Sequence, residues 1–227
     1  ITFGQELSGW KAQIDDNIVS LKNCLSRLKR LPIGGTAVGT GINAHKLFTK
    51  EFLLAINKGN KVKYIIKKNK FEGLSSQDDA VLYSSHLKSL AVSLIKISND
   101  LRWMNSGPDS GISDITLKAL QPGSSIMPGK VNPVISESSI MACSQVIGND
   151  TTVMICGQAG NFQLNVTLPI IADNVVQSTN LISNTAISIA KKAILSFEVN
   201  KLKIEKSVDT NPILVTALNS ISGYDSA

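Results

Sequence analysis

The chain is poor in the residues that usually advertise chemistry. Among its 227 residues there are two histidines, His45 and His86, and neither stands near a cysteine or carboxylate in a ligand pattern. No metal centre is therefore expected, and each histidine reads as a surface or packing residue. Three cysteines, Cys24, Cys143 and Cys156, form an odd set without paired spacing. That excludes a disulfide framework and fits a reducing compartment. Aromatic residues make up only 5% of the chain, a low share. No stretch of about 20 residues is free of polar groups, so no membrane span is expected. The most apolar segment, residues 170–197, is broken by Asp173, Asn174, Gln177, Asn180 and Asn184. No alternating apolar–polar run supports a sheet, and there is no internal repeat. The chain starts without methionine, and residues 1–6 read as mid-protein sequence with no signal peptide in view.

What is present is helical material. Apolar residues make up 43% of the chain, and Leu, Ile, Ala, Ser, Lys and Asn dominate. Ile14, Ile18, Leu21, Leu25 and Leu28 recur every three or four residues and predict a helix over 3–31, stopped by Pro32 and Gly34-Gly35. A shorter helix is expected over 45–57, then a charged connector with a short extended piece at 62–66. Val81, His86, Leu90, Leu94, Ile97 and Leu101, widened by Leu87, Ala91 and Ile95, predict a long helix over 77–105. Further long helices are expected over 133–156, with Ile140, Cys143, Val146 and Ile147 inward, and over 168–197. Shorter ones follow at 204–208 and 213–220. The fold class is all-α, a bundle of helices each near 40 Å at about 1.5 Å per residue. Several apolar faces are broader than a monomer needs, which points to burial in an oligomer.

The net charge is +6. The lysines are scattered except over 58–70, where only Tyr64 interleaves them, so that stretch reads as a solvated loop and no nucleic-acid partner is expected. The surplus also suits a dianionic substrate. The run Gly34-Gly-Thr-Ala-Val-Gly-Thr-Gly-Ile-Asn43 invites a phosphate-loop reading, but no strand precedes it and no Gly-Lys-Ser/Thr follows.

The most informative segment is Gly123-Ser-Ser-Ile-Met-Pro-Gly-Lys-Val-Asn-Pro133. It places two hydroxyls and one lysine ahead of Asn132-Pro133. Asn is a strong N-cap and proline is favoured at the first helical position, so a helix is expected to begin at Asn132. Its free N–H groups, together with Lys130, make an anion site. Glu137 adds a carboxylate just over a turn later. A plain Ser/Gly/Pro connector between helices has a similar composition.

The string itself resembles the signature of the fumarase/aspartase superfamily. Asn69-Lys-Phe-Glu72, Lys96-Ile-Ser-Asn-Asp-Leu-Arg102, Ser106-Gly-Pro108, Gly148-Asn-Asp150, Gly160-Asn-Phe-Gln-Leu-Asn-Val166, Leu214-Val-Thr-Ala-Leu-Asn219 and Gly223-Tyr-Asp225 are similar to class II fumarase segments in order and spacing. The resemblance implies a central helical-bundle domain over 1–199 and the start of a small C-terminal domain over 200–227. It implies a homotetramer whose central helices form a shared core and whose active sites draw on three subunits. The reaction implied is reversible anti addition of water to fumarate, giving L-malate without metal or organic cofactor, in the cytoplasm or the mitochondrial matrix. Such chemistry needs a base beside a carboxylate, stabilisation of the doubly charged aci-carboxylate, and an acid for the departing hydroxyl. By resemblance Ser124 is the base, on a mobile loop that closes over substrate. Ser125 and the backbone of Val131 line the pocket with Lys130 and Asn132. Glu137 looks like the carboxylate that orients a histidine.

The segment carrying that histidine in the family would fall ahead of Ile1, as would a second substrate loop, so the resemblance implies that this chain alone is inactive. Asp109 stands where fumarases commonly have arginine, and Thr167-Leu168 replaces a more basic pair. Two other readings remain at this point. One is an aspartate ammonia-lyase of the same superfamily, against which Gly129, Gly160-Asn-Phe162 and Gly223-Tyr-Asp225 weigh. The other is a catalytically inactive helical assembly module.

Overall fold

The computed structural model describes residues 1–127, 129–218, 221 and 223. Pro128, Asn219, Tyr224 and Asp225 of the motifs above lie outside the described residues, as do residues 220, 222, 226 and 227. The described residues are mainly helical, as the periodicity requires. Helix α1 spans Phe3–Leu28, α2 Phe48–Asn57, α3 Lys70–Ser75, α4 Asp78–Met104, α5 Val134–Gly157, α6 Leu168–Ile189 and α7 Lys201–Asp209. Two compact units divide the chain: Ile1–Ile97 with Ser139–Ala186, and Ser98–Ser138 with Ile187–Ala227.

The absence of any sheet is corrected in a small way. Strands β1 (Arg30–Leu31) and β2 (Ile65–Ile66) pair in parallel, and β3 (Ile115–Thr116) and β4 (Glu198–Val199) pair antiparallel. Each is two residues long, below what an alternating pattern can register. The first pair also explains why α1 ends at Leu28 rather than residue 31. Pro32 pushes its predecessor towards extended backbone. The freed carbonyls of Lys29 and Leu31 then accept the N–H groups of Ile65 and Lys67 at 2.9 and 2.8 Å. The extended piece expected at 62–66 thus forms at its end.

In the first unit α1 opens on a capping box, with Thr2 Oγ1 accepting from Gln5 N–H at 3.2 Å and Thr2 N–H donating to Gln5 Oε1 at 2.8 Å. Its buried line is Trp10, Asn17 and Cys24, while Ile18 and Leu25 of the predicted stripe are exposed. The seven-residue spacing of the buried line puts Ile14, Leu21 and Leu28 on its flank, half-buried. Asn17 Nδ2 donates to Ser93 Oγ on α4 at 3.1 Å. On α4, Leu87, Leu90, Ala91, Leu94 and Ile97 are buried, as the stripe predicts. Val153, Cys156 and Ile171 form a core cluster with Ala80, Val81 and Val175. Polar ties run between the long helices as well. Asn149 Nδ2 donates to Gln177 Oε1 and Ser178 Oγ at 2.7 and 3.1 Å, and Lys88 pairs with the buried Asp150 at 2.5 Å.

Asn69 caps α3 by accepting from Glu72 N–H at 3.0 Å; this short helix has no apolar periodicity and was not expected. The glycine-rich run is a loop, and Gly39, at φ 93°, lies where a Cβ would meet the Phe71 ring at 2.7 Å. The lysine-rich stretch is not wholly solvated. Lys67 is buried and paired with Asp79 at 3.2 Å and Glu72 at 2.7 Å. Asn165 joins α5 to α6, donating to the Cys156 carbonyl at 3.0 Å and accepting from Thr167 N–H at 2.8 Å.

In the second unit α6 continues through a π-helical turn, Ala190–Ile194, closed by Leu195 N–H to the Ala190 carbonyl at 3.0 Å. The helical run therefore ends close to the expected boundary but widens in its last turn. Helix α7 is longer than the expected 204–208, and Pro212–Leu218 form a 3₁₀ helix. Leu101, Ile115, Leu117, Ile189 and Ala193 are buried here.

Candidate active site

The 123–133 loop is drawn into a closed turn at its base. A Cβ on Gly123 would lie 2.2 Å from the Lys130 carbonyl oxygen, so only glycine permits this approach. Within the turn, Ser124 Oγ accepts the N–H groups of Ile126 and Met127, each at 3.2 Å. Two amide dipoles therefore converge on one hydroxyl oxygen, which favours negative charge on it. Lys130 N–H donates to the Met127 carbonyl at 3.3 Å.

Helix α5 then begins. Its regular part starts at Val134, one residue later than Asn132-Pro133 predicts, and Glu137 N–H donates to the Pro133 carbonyl at 3.1 Å. Lys130 is exposed, with no carboxylate within ion-pair distance among the described residues. The foot of the helix thus presents an unneutralised cation at the positive end of the helix dipole.

These residues border an open cleft of about 930 Å³ in the second unit. One side is the loop foot and first turn of α5, with Lys130, Val131, Asn132, Pro133 and Glu137. Facing it are the end of α4, with Asn99, Arg102 and Trp103, and the connector after it, with Ser106, Ser113 and Thr116. Arg102 reaches only Asn99 Oδ1, at 3.5 Å, so the cleft holds two cations against the single carboxylate of Glu137. That balance suits an anion.

Of the residues expected at a site, Lys130, Val131, Asn132 and Glu137 line one cleft. Ser124 and Ser125 do not; they sit earlier on the loop whose Met127 and Gly129 line it, Ser124 half-buried and Ser125 exposed. Asn99, Arg102 and Ser106 had no assigned role in the sequence. Their only signal was membership of the segments 96–102 and 106–108, and only the fold brings them opposite Lys130. Neither histidine lines the cleft. Among the described residues no group of three or more His, Cys, Asp or Glu is placed to hold a metal, and no helix is long and apolar enough to cross a membrane.

A family model described as "Lyase" matches residues 1–148. The chain belongs to this lyase family. Among the curated relatives, a fumarate hydratase class II from Xylella fastidiosa is 51% identical over 227 residues, covering 100% of this chain and 48% of the relative. A fumarate hydratase class II from Pseudomonas aeruginosa is 50% identical, covering 100% of this chain and 50% of its own length. The solved class II fumarase from Schistosoma mansoni matches with a TM-score of 0.94 at 35% identity, over 99% of this chain and 50% of that one. A fumarate lyase:delta crystallin from Brucella melitensis gives 0.93 at 36% identity, over 99% and 49%. The chain spans about half the length of the relatives it matches.

Proposed function

We propose that this chain carries the catalytic loop and helical core of a class II fumarate hydratase. The observation that carries the reading is the Ser124 hydroxyl, held by two loop amides beside a cationic cleft, in a chain half-identical to enzymes of that name. In this reading Ser124, as alkoxide, removes the proton beside one carboxylate of L-malate. The electron pair moves onto that carboxylate, and Lys130, Asn132 and the positive end of the α5 dipole stabilise the extra charge. Loss of the hydroxyl as water then leaves fumarate. Ser125 and the Val131 backbone complete the pocket, and Glu137 orients the partner that handles the second proton. No metal or organic cofactor has a role in these steps.

The same reading divides the chain into a central bundle, 1–199, and the start of a small C-terminal domain, 200–227, and places the enzyme in the cytoplasm or mitochondrial matrix. The test is direct. The intact protein is expected to convert L-malate to fumarate, followed by the ultraviolet absorbance of the alkene. Ammonia release from L-aspartate with malate inert would overturn it in favour of an aspartate ammonia-lyase.

Assembly is part of the proposal. Helix α5 buries Cys143, Val146 and Val153, yet also exposes Met141, Met154 and Ile155, and α6 exposes Ile170 and Val176. A helix that is apolar on several sides is normally covered on several sides. We expect the intact protein to sediment as a homotetramer in analytical ultracentrifugation; a monomer across the accessible concentration range would contradict this.

A further inference from the structure

We infer that Asn200 is a positioning residue that holds one wall of the cleft, an inference that rests on the reading of the cleft as the substrate site. Asn200 occupies the N-cap position of α7, where asparagine ordinarily accepts an N–H from the helix's first turn. It makes no such bond. Its backbone carbonyl accepts from Lys203 and Ile204 at 3.0 and 3.1 Å, but its side chain turns away from α7. Nδ2 donates to the Ser113 carbonyl at 2.9 Å and contacts Thr116 Oγ1 at 3.0 Å, and Oδ1 accepts from that hydroxyl at 3.1 Å. The Asn200 N–H adds a bond to the Asp114 carbonyl at 2.9 Å. Three residues later, Lys203 Nζ donates to the Pro108 carbonyl at 3.2 Å.

The partners of the Asn200 side chain, of its N–H and of Lys203 Nζ all lie on the 106–117 connector, and Pro108, Ser113 and Thr116 line the cleft. Buried Ile115 and Leu117 anchor the far end of that connector, while Ser113 and Thr116 stay at the cleft. Ser113 adopts a left-handed backbone, φ 56°, which a non-glycine residue holds only when its surroundings impose it. Its own ties are Ile112 N–H to Ser106 Oγ at 3.0 Å and Leu117 N–H to Asn105 Oδ1 at 2.8 Å, one at each end. Between them, the burial of Ile115, the β3–β4 ladder and the Asn200 amide supply the order. Asn200 therefore gives up its capping role to fix the wall.

The test uses substitutions that keep or improve the cap. Serine and aspartate are N-caps as good as asparagine, so a residue that serves only α7 would tolerate both. Asn200→Ser is too short to reach Ser113, and Asn200→Asp sets a carboxylate against a carbonyl oxygen. Both are expected to speed amide hydrogen exchange at 113–116 by about five- to tenfold, the scale of one net hydrogen bond, with α7 amides unchanged. In the intact enzyme KM for malate should rise on the order of 10-fold with kcat nearly constant, because the wall moves no proton. Unchanged exchange at 113–116, or acceleration confined to α7, would overturn the inference. So would unchanged KM in variants of an active enzyme. A wild-type protein inert towards malate would instead remove the fumarase reading, while the exchange measurement, made without substrate, would still decide the role of Asn200.

Discussion

Replacing Ser124 with alanine in the intact protein should lower kcat by on the order of 10²-fold or more, the scale of a positioned general base, while leaving malate binding close to normal. The hydroxyl oxygen already sits in the field of two loop amides, Ile126 and Met127. Those donors favour the alkoxide, the form a serine must reach to act as a base. Alanine removes the oxygen and leaves the cationic cleft in place. Lys130→Met is expected to behave differently. In the proposed reaction its ammonium faces a carboxylate that is charged in the ground state and more so in the transition state, so KM should rise and kcat fall together. Steady-state kinetics of the two variants, with binding of a non-reacting dicarboxylate measured by calorimetry, separates these patterns. Near-normal turnover of Ser124→Ala with Ser125→Ala inactive would move the base by one residue. Activity in both would make the loop a lid only.

The largest stability effect is expected at Asp79, far in sequence from the 123–133 loop. Its carboxylate accepts from Arg27 Nε at 2.6 Å, Arg30 Nη2 at 3.1 Å and Lys67 Nζ at 3.2 Å. Arg27 and Arg30 are substantially exposed, so their pairs contribute little. Lys67, at 9% exposure, is the costly partner. Asp79→Asn leaves that ammonium with Glu72 alone and should destabilise the chain by about 2–4 kcal/mol in urea unfolding. An effect below about 0.5 kcal/mol, the range of an ordinary surface substitution, would show the network to be incidental.

The pH dependence has a definite sign. Burial raises the Asp79 pKa, but the hydrogen bonds and charges of Arg27 and Lys67 outweigh it, so the folded value lies below the ordinary one. The stabilisation is therefore fully present above the unfolded carboxylate pKa of about 3.9 and is lost as pH falls through the lower folded value. The wild-type advantage over Asp79→Asn should be flat from neutral pH down to about 4 and shrink below it.

Much of this protein was decided by its sequence alone, and the reason is locality. A stripe such as Leu87, Leu90, Leu94, Ile97 and Leu101 can bury itself only on a helix, and Pro32 and Gly107-Pro108 interrupt helices wherever they stand. The 123–133 loop is equally local. Ser124, Lys130 and Glu137 lie within fourteen consecutive residues, and the amides that hold Ser124 belong to its near neighbours. The tertiary structure decided what depends on distant pairing. Lys67 looked like one more solvated lysine until Asp79 and Glu72 closed around it. Arg102 and Ser106 joined the cleft only when the end of α4 came opposite the foot of α5. Asn200 reads locally as a helix cap, yet its side chain serves residues 84 and 87 positions away. Periodicity records which face of a helix is apolar, but it carries no information about which polar partner that face, or a loop beyond it, will meet.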